Sequence, residues 1–295
     1  MDNIPALFDE AIAFENINGR NDRYEYAKVR KGNIWYFLKT ARDKKLIPKI
    51  QREVVWSEFM NRIEAFYPSA HIFGPKVERR IGLSGIVFTN IDAPIVAERG
   101  DIEAWQRILP QYADMLALFD TVSVGWKSDN LPDEPSRSDH PYKIWEHWMG
   151  ENIDRYPRML EAKKNIESVH FILTKCLQHG DLTPWQIFDT KQGWIVFDGE
   201  KCGTDLFRFT DLAYGYVRLS VTYGSPAGAC ELLRLFIEKQ DLTDEIVKKE
   251  LLPVFLHRAV GGLSDAYRDN DEAAITRGEE LLDACLDKDL SFIRG

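Results

Sequence analysis

Residues 178–213 read QHGDLTPWQIFDTKQGWIVFDGEKCGTDLFRFTDLA, and this stretch decides how the 295-residue chain is read. It predicts a strand, a loop, a hairpin and a landing helix, with a carboxylate at each junction. An apolar approach (Leu173, Cys176, Leu177) ends on His179-Gly180-Asp181, and Gln186 follows Asp181 by five residues. The β-branched and aromatic run Trp194-Ile195-Val196-Phe197 then delivers a second acid, Asp198, and a polar segment leads through Asp205 to Asp211-Leu212-Ala213. Phosphoryl transfer from a nucleotide asks for an acid that orients the attacking hydroxyl. It also asks for oxygen ligands to Mg²⁺, one shortly after that acid and one on a neighbouring hairpin. Asp181, Gln186 and Asp198 stand in that chain order.

The stretch resembles the catalytic segment of the aminoglycoside phosphotransferase/choline kinase family, a branch of the protein-kinase-like fold. His179-Gly180-Asp181, Asp198 and Asp211-Leu212-Ala213 match that family's pattern, whereas Gln186 stands where it has Asn, and Thr183 and Trp185 replace the usual His and Gly. A glutamine offers the same amide oxygen one methylene further out. Because Mg²⁺ holds near-octahedral ligands at about 2.1 Å, the loop must retract or a water must bridge. The resemblance is specific over Gln178–Ala213, loose over Glu15–Asp92 and compositional elsewhere.

It implies an α+β, bilobal protein-kinase-like fold, with a small antiparallel-sheet N-lobe (1–92) that binds nucleotide. A larger, mainly helical C-lobe (93–295) would carry the catalytic and acceptor-binding groups. In Ile34-Trp35-Tyr36-Phe37-Leu38-Lys39 an apolar strand ends on a lysine. The resemblance makes Lys39 the residue that pairs with nucleotide phosphates, although a lysine that caps a strand and snorkels has the same pattern. Gln51–Phe66 reads as a helix from the apolar repeat Val55, Phe59, Ile63, Phe66. Glu53, in its expected first turn, is the implied partner of Lys39; an acid there also complements the helix dipole with no catalytic role. Ile86–Ile91 resembles the last N-lobe strand running into the hinge, where backbone groups of Thr89 and Ile91 would read the base edge. The turn at Asn18-Gly19 would lie over the phosphates, but it holds a single glycine.

Asp101 reads as a helix N-cap, followed by a core-facing stripe from Ile102 to Phe119 that Pro110 is expected to kink. Gly125–His140 has loop composition and is long for a connection. Further helices are expected over Arg158–Leu173, Ala229–Lys239, Asp244–Ala259 and Glu272–Leu286.

Composition narrows the class. Length favours two lobes over a single core. The four cysteines lie far apart with no C-x-x-C pair, which fits a reduced, cytoplasmic protein without a cysteine metal cluster. No run of 18 apolar residues and no basic leader can be read, so neither membrane nor export is expected. A net charge of −9 argues against a nucleic-acid partner. Charge is uneven: residues 20–52 hold 11 Lys/Arg against 3 Asp/Glu, and residues 231–289 hold 15 Asp/Glu against 8 Lys/Arg. A basic first part suits a polyphosphate; an acidic last part suits a cationic acceptor, or simply makes a solvated helical surface.

Together these readings point to a kinase that uses ATP or GTP with Mg²⁺ to phosphorylate a hydroxyl of a small, cationic acceptor. Asp181 would act on the hydroxyl, Gln186 and Asp198 would hold metal, and Lys39, Glu53, Thr89 and Ile91 would hold nucleotide. The alternative is a weak or inactive kinase-fold protein that serves as a nucleotide-binding or scaffold module. Gln186 favours it; the presence of both Asp181 and Asp198 opposes it.

Overall fold

The computed structural model describes residues 8–13, 23–132, 139 and 141–289. The expected turn at Asn18-Gly19 lies outside these, as does most of the second half of the Gly125–His140 loop. In chain order the elements are β1 (Glu10–Ala13), β2 (Tyr24–Lys31), β3 (Ile34–Ala41), α1 (Ile47–Phe66), β4 (Ile72–Phe73), β5 (Val77–Ile81) and β6 (Gly85–Thr89). There follow α2 (Ile102–Arg107), α3 (Leu109–Ser123), α4 (Pro141–Met149), α5 (Met159–Val169), β7 (Lys175–Gln178), β8 (Ile187–Thr190), β9 (Gly193–Val196) and β10 (Gly203–Phe207). The chain closes with α6 (Thr210–Val217), α7 (Pro226–Gln240), the short α8 (Asp244–Ile246), α9 (Leu252–Asp269) and α10 (Glu272–Leu286). This is a mixed α+β chain with its antiparallel sheet in the N-terminal part. Among the described residues no helix is long and apolar enough to cross a membrane.

Two compact units emerge, and neither is continuous. The first takes Met1–Val96, Ser128–Glu134 and Trp185–Cys202; the second takes Ala97–Lys127, Pro135–Pro184 and Gly203–Gly295. The crossover after Val96 falls close to the expected boundary at Asp92. A linear division nevertheless misses the β8–β9 hairpin, which packs with the N-terminal segment.

In the first unit, five strands form an antiparallel sheet in the order β1-β2-β3-β6-β5. Alternation sorts its side chains. Ala27, Val29, Leu38 and Val87 form a core on one face, while Tyr24, Ile86 and Phe88 meet Leu46, Ile50 and Val54 of the α1 side on the other. Lys39 follows Leu38, so the pleat turns it to the α1 face. The helix begins earlier than periodicity suggested. Asp43 caps a preceding 3₁₀ turn by accepting the Lys45 N–H at 2.9 Å, and Pro48 sits where a first helical turn tolerates it. Glu53 is therefore a second-turn residue at 2% exposure, and the dipole explanation for it falls away. The hairpin joins β4 in a separate three-stranded sheet, order β4-β9-β8, and the indole Nε1 of Trp56 donates to the carbonyl of Val196 at 3.1 Å.

The second unit is mainly helical around the two-stranded β7–β10 pair. Asp101 accepts the Ala104 N–H as a true N-cap. The chain breaks between α2 and α3 at Ile108, ahead of Pro110, because the proline fits the first turn of a new helix better than the interior of an old one. Helix α9 is buried along most of its length, and α6 runs into a π-helical turn at Arg218–Thr222.

Candidate functional site

In each unit a cluster of charged side chains surrounds a residue that the sequence singled out. In the first unit the centre is Lys39. Its Nζ lies 2.6 Å from Glu53 Oε1, 3.2 Å from Asp198 Oδ1 and 3.4 Å from Glu200 Oε2, and 4.5 Å from the centre of the Tyr24 ring. Burial opposes its charge, but Glu53, Asp198 and Glu200 carry its pKa well above the ordinary lysine value. A snorkelling lysine is thereby excluded, since this ammonium is almost wholly buried.

The three acids are not equivalent. Burial pushes the Glu53 carboxyl up, and although Lys39 pulls it down, Asp198 and Glu200 add to the rise. Glu200 is also buried, yet Lys39 and a 2.7 Å contact with Arg23 hold it down at about 2. Asp198 is the most open, with its side chain 30% exposed.

The backbone explains how Asp198 gets there. It adopts φ 65°, in the left-handed region that Asp tolerates better than most residues. Gly199 then passes so close to Trp56 that a Cβ would sit 2.3 Å from it. The Gly199 N–H donates to Glu53 Oε2 at 3.1 Å, and Cys202 Sγ meets the carbonyl of Arg52. Glu53 thus holds both the lysine and the loop that carries Asp198. Gln186 is buried, and its carbonyl accepts the Phe197 N–H, one residue before Asp198.

Thr89 differs in detail from the sequence expectation. Its N–H donates to the Lys76 carbonyl at 2.9 Å and its hydroxyl to Glu78, so of its backbone groups the N–H is already committed. Beyond Ile91 the linker lies along β8, with Asp189 N–H donating to Pro94 and Val96 N–H to Ile187.

In the second unit the centre is the turn after β7. Gly180 has φ 82°. Asp211, 3% exposed, accepts the N–H groups of His179 and Gly180 at 2.7 Å each, and the Tyr112 hydroxyl donates to the Leu182 carbonyl at 3.0 Å. Burial raises the Asp211 pKa against the pull of His179 and these two amides. The loop that presents Asp181 is therefore clamped by the first turn of α6. Asp181 itself is hydrogen-bonded to the Tyr214 hydroxyl, whose pKa burial and the Asp181 carboxylate raise. Tyr214 accepts from Arg218 at 2.8 Å, Arg218 pairs with Asp265 at 2.9 Å, and the Arg258 guanidinium stands 4.3 Å over the Tyr214 ring.

Several acids of residues 231–289 are held in ion pairs within the helical part. Glu231 and Glu238 pair with Arg234, Glu245 with Lys249, Asp269 with Arg268, and Asp283 and Asp287 with Arg158. Asp265 joins the surroundings of Asp181, and it does so through Arg218.

Lys39, Glu53 and Asp198 are thus brought together in one cluster, whereas Thr89 ends the interior strand β6, opposite Tyr36 of β3, and Ile91 follows it in the linker. Sequence reading missed Glu200, Arg23, Tyr214, Arg218 and Arg258. One signal was available: Arg258 interrupts the apolar run Val254-Phe255-Leu256 and Ala259-Val260, where an unpaired cation is out of place.

No family model matches the chain, and no curated protein matches it. Solved structures do. A thermostable mutant of aminoglycoside phosphotransferase APH(4)-Ia, in ternary complex with AMP-PNP and hygromycin B, aligns with a TM-score of 0.59 at 11% identity, covering 96% of this chain and 94% of that one. Amicoumacin kinase hAmiN in complex with AMP-PNP, Ca²⁺ and Ami aligns at 0.59 and 11%, covering 95% and 89%. Plasmodium vivax ethanolamine kinase aligns at 0.52 and 14%, covering 97% and 82%. At these identities the likeness establishes the fold, that of the aminoglycoside phosphotransferase/choline kinase-like proteins.

Proposed function

Taking that fold as premise, we propose that this chain is a small-molecule kinase that transfers the γ-phosphoryl group of ATP or GTP to a hydroxyl. The observation that carries the reading is the buried Lys39, paired with Glu53 and in contact with Asp198. A buried lysine costs several kcal/mol to keep charged without compensation. A lysine held beside a half-open carboxylate, by an acid that also anchors that carboxylate's loop, is the arrangement a polyphosphate and its metal require.

Mg²⁺ is the ion this reading implies, and the donor set suits it. Asp198 offers a part-exposed carboxylate and Gln186 an amide oxygen, both hard ligands. Among the described residues no group of three or more His, Cys, Asp or Glu forms a metal cage. That matches an ion which takes most of its ligands from phosphate and water. When bound it would neutralise charge on the phosphate oxygens. Lys39 would hold the nucleotide phosphates. The carbonyl of Thr89 and the N–H of Ile91 would read the base edge. Structural neighbours solved with AMP-PNP or, for another aminoglycoside phosphotransferase, with GDP and kanamycin, support both donors.

Asp181 would orient the acceptor hydroxyl and take its proton as the phosphoryl group departs. Tyr214 steadies that carboxylate and Asp211 fixes its loop. No covalent intermediate is needed; positioning and charge neutralisation do the catalysis. A scaffold role is less well supported, because it gives no reason to bury Lys39 against three carboxylates.

The test is acceptor-dependent ADP release across a panel of small alcohols, with and without Mg²⁺. Release that needs both acceptor and Mg²⁺ supports the kinase. Nucleotide binding without release would support the scaffold alternative.

A further inference from the structure

Helix α9 carries a half-buried cation that phosphoryl transfer, as derived above, leaves unexplained. Arg258 lies 4.3 Å over the Tyr214 ring and 5.5 Å from the Trp148 ring. It makes no hydrogen bond or ion pair among the described residues, and its Nε is sealed from solvent without an acceptor. The neighbouring Arg218 likewise has a buried Nε without an acceptor. The surrounding acids are already engaged. Asp211 is held by two backbone amides, Asp265 by Arg218 and Arg268, and Asp181 by the Tyr214 hydroxyl. Burial lowers the pKa of Arg258, against the pull of Tyr214 and Asp181. A guanidinium does not lose its proton in a protein, so the site holds a positive charge that the chain leaves without a direct partner.

We propose that the acceptor carries an anionic group, a carboxylate or a phosphate, which Arg258 binds next to Asp181 with Arg218 as a second donor. The inference rests on the kinase reading in one respect: Asp181 receives the hydroxyl of the same molecule. The planar guanidinium fork suits two anionic oxygens at once, and the two aromatic rings fix the plane in which the fork lies. The acidic composition of the last third of the chain pointed the other way, towards a cation. Seven of those 15 acids, however, are held in ion pairs, while the Arg258 guanidinium lies over the Tyr214 ring and feels the charge of Asp181. The γ-phosphate of the nucleotide is a second source of anionic oxygen, and the test separates the two.

Initial rates with Mg-ATP are measured for glycerol 3-phosphate and glycerate, for neutral glycerol, and for choline and ethanolamine. The anionic acceptors are expected to exceed glycerol in kcat/KM by about tenfold or more. Arg258→Gln is expected to raise their KM by about tenfold to a hundredfold, the range for a hydrogen bond to a charged group, with the KM for Mg-ATP unchanged. Arg258→Lys should recover part of the loss. A rise in the Mg-ATP KM instead would assign Arg258 to the γ-phosphate and overturn the proposal, as would a neutral or cationic best acceptor. The wild-type preference needs no variant, so a misfolded Arg258→Gln leaves the question answerable. Should no acceptor support ADP release, the kinase reading fails on its own. Tryptophan fluorescence then decides the anion site, because Trp148 lies against Arg258. Quenching by glycerol 3-phosphate and not by glycerol, lost in Arg258→Gln and partly kept in Arg258→Lys, supports it, and equal responses to both probes overturn it.

Discussion

Replacing Lys39 with methionine keeps most of the apolar stem and removes the charge, leaving three acids without their common partner. They respond differently. Glu200 retains Arg23 at 2.7 Å, and Asp198, with 30% of its side chain exposed, can hydrate. Glu53 has neither recourse: it is 2% exposed, and its other oxygen is fixed to the Gly199 N–H. Breaking a buried pair by removing one member costs about 3–5 kcal/mol when the remaining charge stays. Glu53 escapes part of that by taking up a proton. Its pKa is already raised by burial, and loss of Lys39 removes the main charge that lowers it. In Lys39→Met the folded-state pKa of Glu53 therefore lies well above its unfolded value. Between the two, the folded state binds more protons, so stability falls as pH rises through that window. The slope approaches about 1.4 kcal/mol per pH unit. Urea unfolding of wild type and variant at pH 5.5, 7.0 and 8.5 should show a deficit that grows by about 1–2 kcal/mol, chiefly above pH 7, because Glu53 of the wild type is itself raised to about 7. A deficit that is the same at all three pH values, or absent, would refute the claim that Glu53 depends on Lys39 for its charge.

Asp198→Ala is expected to weaken Mg-nucleotide binding by about tenfold or more and metal-free nucleotide binding far less, as read by calorimetry; equal losses would remove Asp198 from the metal's ligands. Asp211→Asn sets an amide NH₂ against the N–H of His179 or Gly180 and should cost about 2–4 kcal/mol of stability together with a fall in kcat. Denaturant unfolding and initial rates check it, and unchanged stability would show that the clamp on the Asp181 loop is unimportant.

Sequence carried local pattern well and long-range placement poorly. The alternation of Ile34–Lys39 foretold β3 and its lysine, and the apolar run Trp194–Phe197 foretold the strand that ends at Asp198. The pairing of Lys39 with Glu53 came from the family resemblance. The start of α1 was misplaced because Lys44, Lys45, Pro48 and Lys49 hide the apolar period, although Asp43 supplies a cap. Glu200 gave no signal, because what brings it to Lys39 is the close passage of Gly199 across Trp56, a contact between segments far apart in sequence. The cluster of Tyr214, Arg218 and Arg258 depends likewise on α6 packing against α9. Charge counting over residues 231–289 has the same limit: a sum along the chain does not say which acids already have partners, as Glu231 and Glu238 do with Arg234.

The central claim is that Asp181 acts on the acceptor hydroxyl while other residues hold the nucleotide. It is tested most directly by single-turnover transfer from γ-labelled ATP to the best acceptor, comparing wild type with Asp181→Asn, alongside the Kd for Mg-ATP of each. The expected result is a transfer rate lower by about 10²–10⁴-fold, the usual contribution of a positioned acid–base group, with Mg-ATP affinity within about twofold, since Asp181 is given no part in holding the nucleotide. Transfer at the wild-type rate, or a loss of nucleotide binding as large as the loss of transfer, would contradict it.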